Sequence, residues 1–197
     1  GIWAKCVTPL LVRLCSLIQA GSGCMRNDTG NWTAIPALDV PQGTADFTFQ
    51  AATLLRQTMV SGTSVLRNFS KACGPAMGWP DIALGGGYCI ALRRDRVLLV
   101  NGPELADGWH AEAGHAVSDM TGGYAVFEIW GERAIEGLKR GADLNPAIPS
   151  RSALRRFGGL DVILYRFEEQ SRFRLHCDRA QRDAVRLTLQ SCLEGMC

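Results

Sequence analysis

The sequence predicts an α+β fold: an antiparallel sheet with helices packed on it, preceded by an extended N-terminal arm. Short stretches of period-two alternation recur between residues 88 and 177. The element order reads strand–strand–helix, then strand–strand–strand–helix, which suits helices laid on an antiparallel sheet. Residues 21–46 are dominated by Gly, Ser, Asn, Asp, Thr and Pro, a loop composition. The expected division is 1–46, an N-terminal helix and arm, and 47–197, the α+β domain.

Residues 4–20 carry a helical stripe of Leu10, Leu11, Leu14, Leu17 and Ile18, with Pro9 in the first turn. Lys5, Arg13 and other polar residues interrupt it, so it lacks the unbroken apolar run of a membrane span. It reads as a helix lying on a partner or on its own core. The loop after it is long for a compact domain, so an arm laid on another subunit is expected. Phe47–Met59 alternates weakly and reads as one strand that gives way to loop at Ser61-Gly62. Ser64–Ala72 reads as a helix stopped by Cys73-Gly74-Pro75. Tyr88–Arg93 and Arg96–Val100 form a predicted hairpin across Arg94-Asp95. Cys89, Ile90, Leu92 and Val97 to Val100 supply its core residues.

The stretch His115–Gly141 organises the second half of the chain. Val117 opens a strand that Asp119 and Thr121 end. Gly122-Gly123 reads as a tight hairpin turn, with Gly122 at positive φ. In Tyr124–Trp130, Ala125, Phe127 and Ile129 form an apolar face; Tyr124, Val126, Glu128 and Trp130 form the other. Gly131 breaks the strand. Glu132 opens a helix with Ala134, Ile135 and Leu138 as its stripe, Lys139 and Arg140 in its last turn and Gly141 as C-cap. Ser152–Phe157, Gly158-Gly159 and Asp161–Phe167 read as strand, turn and strand. Arg172–Cys177 is a further strand with Phe173 and Leu175 inward. Asp178 is the expected N-cap of a closing helix, Ala180–Leu193, with Ala184, Val185, Leu187, Leu189 and Cys192 apolar.

Twenty-one basic and 19 acidic residues leave a net charge of +2 over 197 residues. Acids interleave the arginines, which argues against a nucleic-acid-binding face. The hydrophobic share of 47% is that of a globular protein. Cysteines stand at 6, 15, 24, 73, 89, 177, 192 and 197, with no C-x-x-C pair and no zinc-type spacing. Their even number and three N-x-S/T sequons, at Asn27, Asn31 and Asn68, fit a secreted protein. Cys89 inside a strand and Cys192 on a helix face instead fit buried thiols in a reducing compartment, and that is the expectation. The expected location is the cytoplasm, or alternatively the mitochondrial matrix.

Candidate chemistry is sparse. Gly85-Gly86-Gly87 precedes a strand, whereas a phosphate loop follows one and opens a helix, so it reads as a turn. His110 and His115 lie near Glu112 in sequence, and His176 is remote from both. A metal or acid–base pair at these histidines is conceivable, but solvated or hydrogen-bonded imidazoles are the expectation. Asp119 invites a general-base role; capping its own turn is the stronger reading. The sequence contains no G-x-S-x-G, H-E-x-x-H or dinucleotide-binding glycine motif. No residue is assigned a catalytic, cofactor-binding or metal role.

The motif Asp119-Met120-Thr121, followed by Y-A-V-F-E-I-W-G-E-R-A-I-E-G-L from Tyr124, resembles a segment of the folate-binding aminomethyltransferase superfamily. That superfamily is typified by the glycine cleavage T protein. The hairpin Tyr88–Gly102 upstream and Ala142-Asp143-Leu144-Asn145-Pro146 downstream fall in the same order as in the gamma subunit of heterotetrameric sarcosine oxidase. The resemblance spans residues 80–195. It implies half of a T-protein-like fold and a non-catalytic subunit without its own cofactor. It further implies packing against larger flavin- and folate-binding subunits, with FAD, FMN, NAD and tetrahydrofolate held there. The complex would oxidise an N-methyl amino acid such as sarcosine. A stand-alone folate-dependent one-carbon protein and a small interaction protein are the alternatives.

Overall fold

Alternating side chains, apolar on both faces of most strands, build residues 40–196 into two stacked sheets; the structure is a computed structural model and describes these residues, with backbone alone over 70–73. In chain order the strands are β1 (Gln42–Gly43), β2 (Thr48–Ala52), β3 (Gln57–Gly62), β4 (Ile82–Ala83), β5 (Tyr88–Arg93) and β6 (Arg96–Val100). Then come β7 (Gly108–His110), β8 (His115–Asp119), β9 (Tyr124–Trp130), β10 (Leu154–Phe157), β11 (Leu160–Phe167) and β12 (Glu169–Asp178). The helices are α1 (Val65–Cys73), α2 (Ala134–Gly141) and α3 (Arg182–Glu194). The larger sheet runs β1-β2-β9-β12-β11-β10, with β4 parallel on β11; the smaller runs β5-β6-β3-β8-β7. Every other strand pair is antiparallel. The α+β expectation holds, with two sheets instead of one.

Three apolar clusters show the layers. The first joins Phe127 and Ile129 of β9 and Phe173 and Leu175 of β12 to Leu138 of α2 and Val185 and Leu189 of α3. The second lies between the sheets, where Val126, Ile163 and Phe167 meet Ile90, Leu98 and Val100. The third puts Cys89, Val97, Leu99 and Val117 under Val65 and Phe69 of α1. Consecutive residues of β6 therefore serve different cores, the period of two made visible. Helix α2 sits so close to the larger sheet that a Cβ at Gly137 would lie 2.4 Å from the Phe47 ring.

Several expectations change. Phe47–Met59 is not one strand: β2 joins the larger sheet and β3 the smaller, with Thr53–Arg56 crossing between them. Ser61 and Gly62 are paired inside β3 rather than looped. The predicted hairpin across Gly122-Gly123 is also a crossover, because β8 pairs with β3 and β7 while β9 pairs with β2 and β12. Gly122 is not at positive φ. The turn is closed instead by Gly123 N and Tyr124 N donating to Met120 O. Helix α2 begins at Ala134 and keeps Gly141 as its last residue, with Ala142 as cap. Asp178 makes no side-chain capping bond; a 3₁₀ turn, Arg179–Gln181, intervenes before α3. Leu187, expected on the apolar side, is exposed.

The predicted helix at 4–20 and most of the arm lie outside the described residues. Of residues 40–46, Gln42 and Gly43 form β1, which adds an edge to the larger sheet by pairing with β2. Among the described residues no helix is long and apolar enough to cross a membrane.

Candidate functional site

The space between the sheets is not wholly apolar. Arg174 and His176 of β12, Glu128 of β9, Gln57 of β3, Tyr88 of β5 and Tyr165 of β11 are all at least nine-tenths buried there. Each occupies the period-two position that faces the opposite sheet. Arg174 and Glu128 are direct cross-strand partners, so register alone brings the charges together.

Arg174 Nε and Nη2 donate to Glu128 Oε1 at 2.9 and 2.6 Å, and Arg172 Nη2 donates to Glu128 Oε2 at 2.7 Å. Arg172 also pairs with Glu168 at 2.7 Å. Burial alone would raise the Glu128 carboxyl, but the two guanidinium groups outweigh it and hold its pKa below the ordinary value. The Arg174 guanidinium lies over the Phe167 ring, 3.3 Å from its centroid.

From Arg174 a hydrogen-bonded chain runs inward. Arg174 Nη1 lies 2.6 Å from Tyr88 Oη, Tyr88 Oη 2.8 Å from Tyr165 Oη, Tyr165 Oη 2.7 Å from His176 Nε2, and His176 Nδ1 2.7 Å from Gln57 Oε1. Arginine has donors only, so it sets the direction. Tyr88 accepts from Arg174 and donates to Tyr165. Tyr165 donates to His176 Nε2, leaving the proton on Nδ1, which donates to the Gln57 carbonyl. Every hydroxyl then donates once and accepts once. Burial, with the Arg174 charge adding to it, drives the His176 pKa down to about 3, so the ring is neutral as the chain requires. Burial lifts both tyrosines, Tyr165 well above the ordinary value.

The chain contains a titratable base beside two phenols, yet its partners are all protein atoms and none of the six side chains is exposed. Its direct effect is to tie the two sheets together through hydrogen bonds between buried side chains.

The residues singled out in the sequence lie elsewhere, His176 excepted. His110 and His115 pair across β7 and β8 with ring centroids 5.3 Å apart. His110 Nε2 bonds Ala106 O at 2.7 Å, and His115 packs edge-on against Phe69. Glu112 is exposed in the intervening turn. Among the described residues no group of three His, Cys, Asp or Glu is placed to hold a metal. Asp119 Oδ1 accepts from Thr121 N at 2.8 Å, and hydrogen bonds from Thr121 lower its pKa. It caps its own turn, as expected. Gly85-Gly86-Gly87 is an exposed bend before β5. Cys89, Cys177 and Cys192 are buried, with burial pushing the Cys177 thiol up to about 12 and raising Cys192.

Arginines concentrate on one face. Arg93, Arg94 and Arg151 border one cleft, and Arg93, Arg96, Arg155 and Arg156 border another of about 610 Å³. Among the described residues the only carboxylates on that second lining are Asp143 and Asp161. A separate, smaller cleft of about 230 Å³ opens where the chain crosses between the sheets, lined by Leu54, Gln57, Thr121, Val126, Arg179 and Arg182 among others.

No protein-family model matches this chain, and no curated protein matches it. Among solved structures it is similar to a chain of the heterotetrameric sarcosine oxidase from Corynebacterium sp. U-96, determined in complex with pyrrole 2-carboxylate. The TM-score is 0.62 and the identity 16%, over 82% of this chain and 90% of that one. At that identity the likeness establishes a shared fold.

Proposed function

We propose that this chain is a non-catalytic, gamma-type subunit of a multi-subunit flavin-dependent oxidase or dehydrogenase acting on an N-methyl amino acid of the sarcosine type. One observation carries the reading: the fold matches nearly the whole of one chain of a heterotetrameric sarcosine oxidase, so the two are units of similar extent. The motif from Asp119 to Leu138 and its flanks point to the same group of proteins. Flavins, NAD and tetrahydrofolate belong on the partner subunits in this reading, and the complex works in the cytoplasm. The buried polar chain suits a structural subunit, since Tyr165 and His176 are fully buried and bonded to protein side chains. Arg93, Arg94 and Arg151 are exposed and have no carboxylate partner among the described residues, which fits a negatively charged surface on a larger subunit.

The test is to tag the chain in its native source and purify it under mild conditions. The expected result is a yellow complex with flavoprotein partners in fixed stoichiometry, while the chain alone is colourless. The double substitution Arg93→Glu with Arg151→Glu should weaken that assembly at least tenfold and leave the melting temperature of the isolated chain unchanged. A tagged chain that elutes without a flavoprotein, or a flavin spectrum on the isolated chain after desalting, overturns the reading.

A further inference from the structure

The direction of the interior hydrogen-bond chain fixes the group at its far end. His176 Nδ1 donates to Gln57 Oε1, so the Gln57 carboxamide nitrogen points away from the imidazole. Were the amide reversed, His176 would have to donate to Tyr165, Tyr165 to Tyr88, and the Tyr88 proton would face the Arg174 guanidinium with no acceptor. The orientation follows from Arg174, not from Gln57 itself. The two Nε2 protons have no acceptor among the described residues, although Gln57 is only 2% exposed. Each link also polarises the next, so an amide whose carbonyl accepts from this chain is a stronger donor.

Gln57 forms part of the wall of the 230 Å³ cleft at the double crossover. The charged part of the wall is cationic, with Thr53 and Tyr124 as neutral polar neighbours: Arg179 is exposed and bonded only through its backbone, to Gly123 O, among the described residues. Arg182 uses its Nε on Asp183 at 3.4 Å, leaving its terminal nitrogens toward other acceptors. The Thr121 hydroxyl is committed, accepting from Gln57 N at 3.0 Å and hydrogen-bonded to Asp119. Among the described residues no carboxylate lines the cleft, and Ala51, Leu54 and Val126 form an aliphatic side. A nearly buried amide donor and two arginines, with Thr53 and Tyr124 beside them and no carboxylate on the lining, describe a site for an anion with a short apolar body. The volume suits a molecule of on the order of ten heavy atoms or fewer, since a water's share of liquid is about 30 Å³.

We propose that this cleft binds a small monocarboxylate, its oxygens taking hydrogen bonds from Gln57 Nε2 and the guanidinium groups of Arg179 and Arg182, its alkyl part against Leu54 and Val126. The site is built within this chain, whatever subunits it joins.

Propionate titrated into the full ¹⁵N-labelled chain tests it, with sodium chloride at equal ionic strength as reference. The Gln57 side-chain amide should shift saturably with propionate and stay still with chloride. The double variant Arg179→Gln, Arg182→Gln, altering side chains outside the buried core, should weaken that binding at least tenfold with an unchanged melting temperature. Shifts that rise linearly, that chloride reproduces, or that survive the double variant overturn the proposal. An N-acetylated, C-amidated aspartate is run in parallel. Weaker binding than propionate supports a free small acid, and binding tenfold tighter overturns it in favour of a carboxylate side chain from another polypeptide.

Discussion

At the scale of the residue, His176 shows how placement decides chemistry. In the unfolded chain its imidazole titrates near the ordinary value of about 6.5, but in the fold its pKa falls to about 3. Between those limits the unfolded state binds a proton that the native state refuses. Stability from this residue is therefore fully present above pH 6.5 and is lost as the pH falls toward 3, by about 1.4 kcal/mol per pH unit. Glu128, whose folded pKa is lowered, acts in the same direction but only below its ordinary value of 4.5. Unfolding in urea should therefore show roughly 2 kcal/mol less stability at pH 5 than at pH 7 from His176 alone. His176→Gln, which can still accept from Tyr165 and donate to Gln57, should flatten that slope. An unchanged slope in the variant would mean that His176 is not the buried neutral base.

At the scale of the element, the decisive places are the points where the chain leaves one sheet for another. Gly131 ends β9 at φ +137°, and a Cβ there would lie 2.3 Å from the Asp46 carbonyl oxygen, backbone that cannot rotate away. Gly122 sits in the crossover between β8 and β9 without positive φ, and a Cβ there meets nothing within 4 Å. Gly131→Ala should cost at least about 2 kcal/mol through strain and contact together. Gly122→Ala should stay within about 0.5 kcal/mol, as surface changes do. Thermal melts of both variants beside the parent check this, and equal losses would place the strain wrongly. The contrast comes from topology: a two-residue hairpin needs positive φ, whereas this crossover closes through bonds to Met120 O.

At the scale of the whole molecule, the three described clusters draw on residues from Phe47 to Met196. The described residues, 40–196, all fall within one compact unit. A chain lacking residues 1–39 should therefore melt cooperatively within a few degrees of the full chain. In the proposed assembly the removed segment is a docking element, so the truncated chain should no longer co-purify with flavoprotein partners. A non-cooperative melt would assign residues 1–39 to the core. Retained co-purification would remove them from the interface, leaving the arginine face as the contact to test.

The sequence by itself determined the local elements. The hairpin Tyr88–Val100, the apolar face Ala125, Phe127 and Ile129, and the inward Phe173 and Leu175 appear as read. Gly158 and Gly159 form the expected turn, with φ of 58° and 84°. Periodicity and turn chemistry act over a few residues, so a few residues suffice to see them. Only the tertiary structure decided which sheet each strand joins, because nothing within Phe47–Met59 or His115–Trp130 records that neighbouring strands part company. It also decided that the alternate positions Glu128, Arg174 and His176 are buried. Alternation with polar residues reads as one solvated face, and here a second sheet covers that face. Asp119 and His176 were legible as residues to watch. The polar chain was not: Tyr88 meets Tyr165 across 77 residues and His176 meets Gln57 across 119. Contacts that distant leave no local period, and only the packing of one sheet on the other brings them within hydrogen-bonding reach.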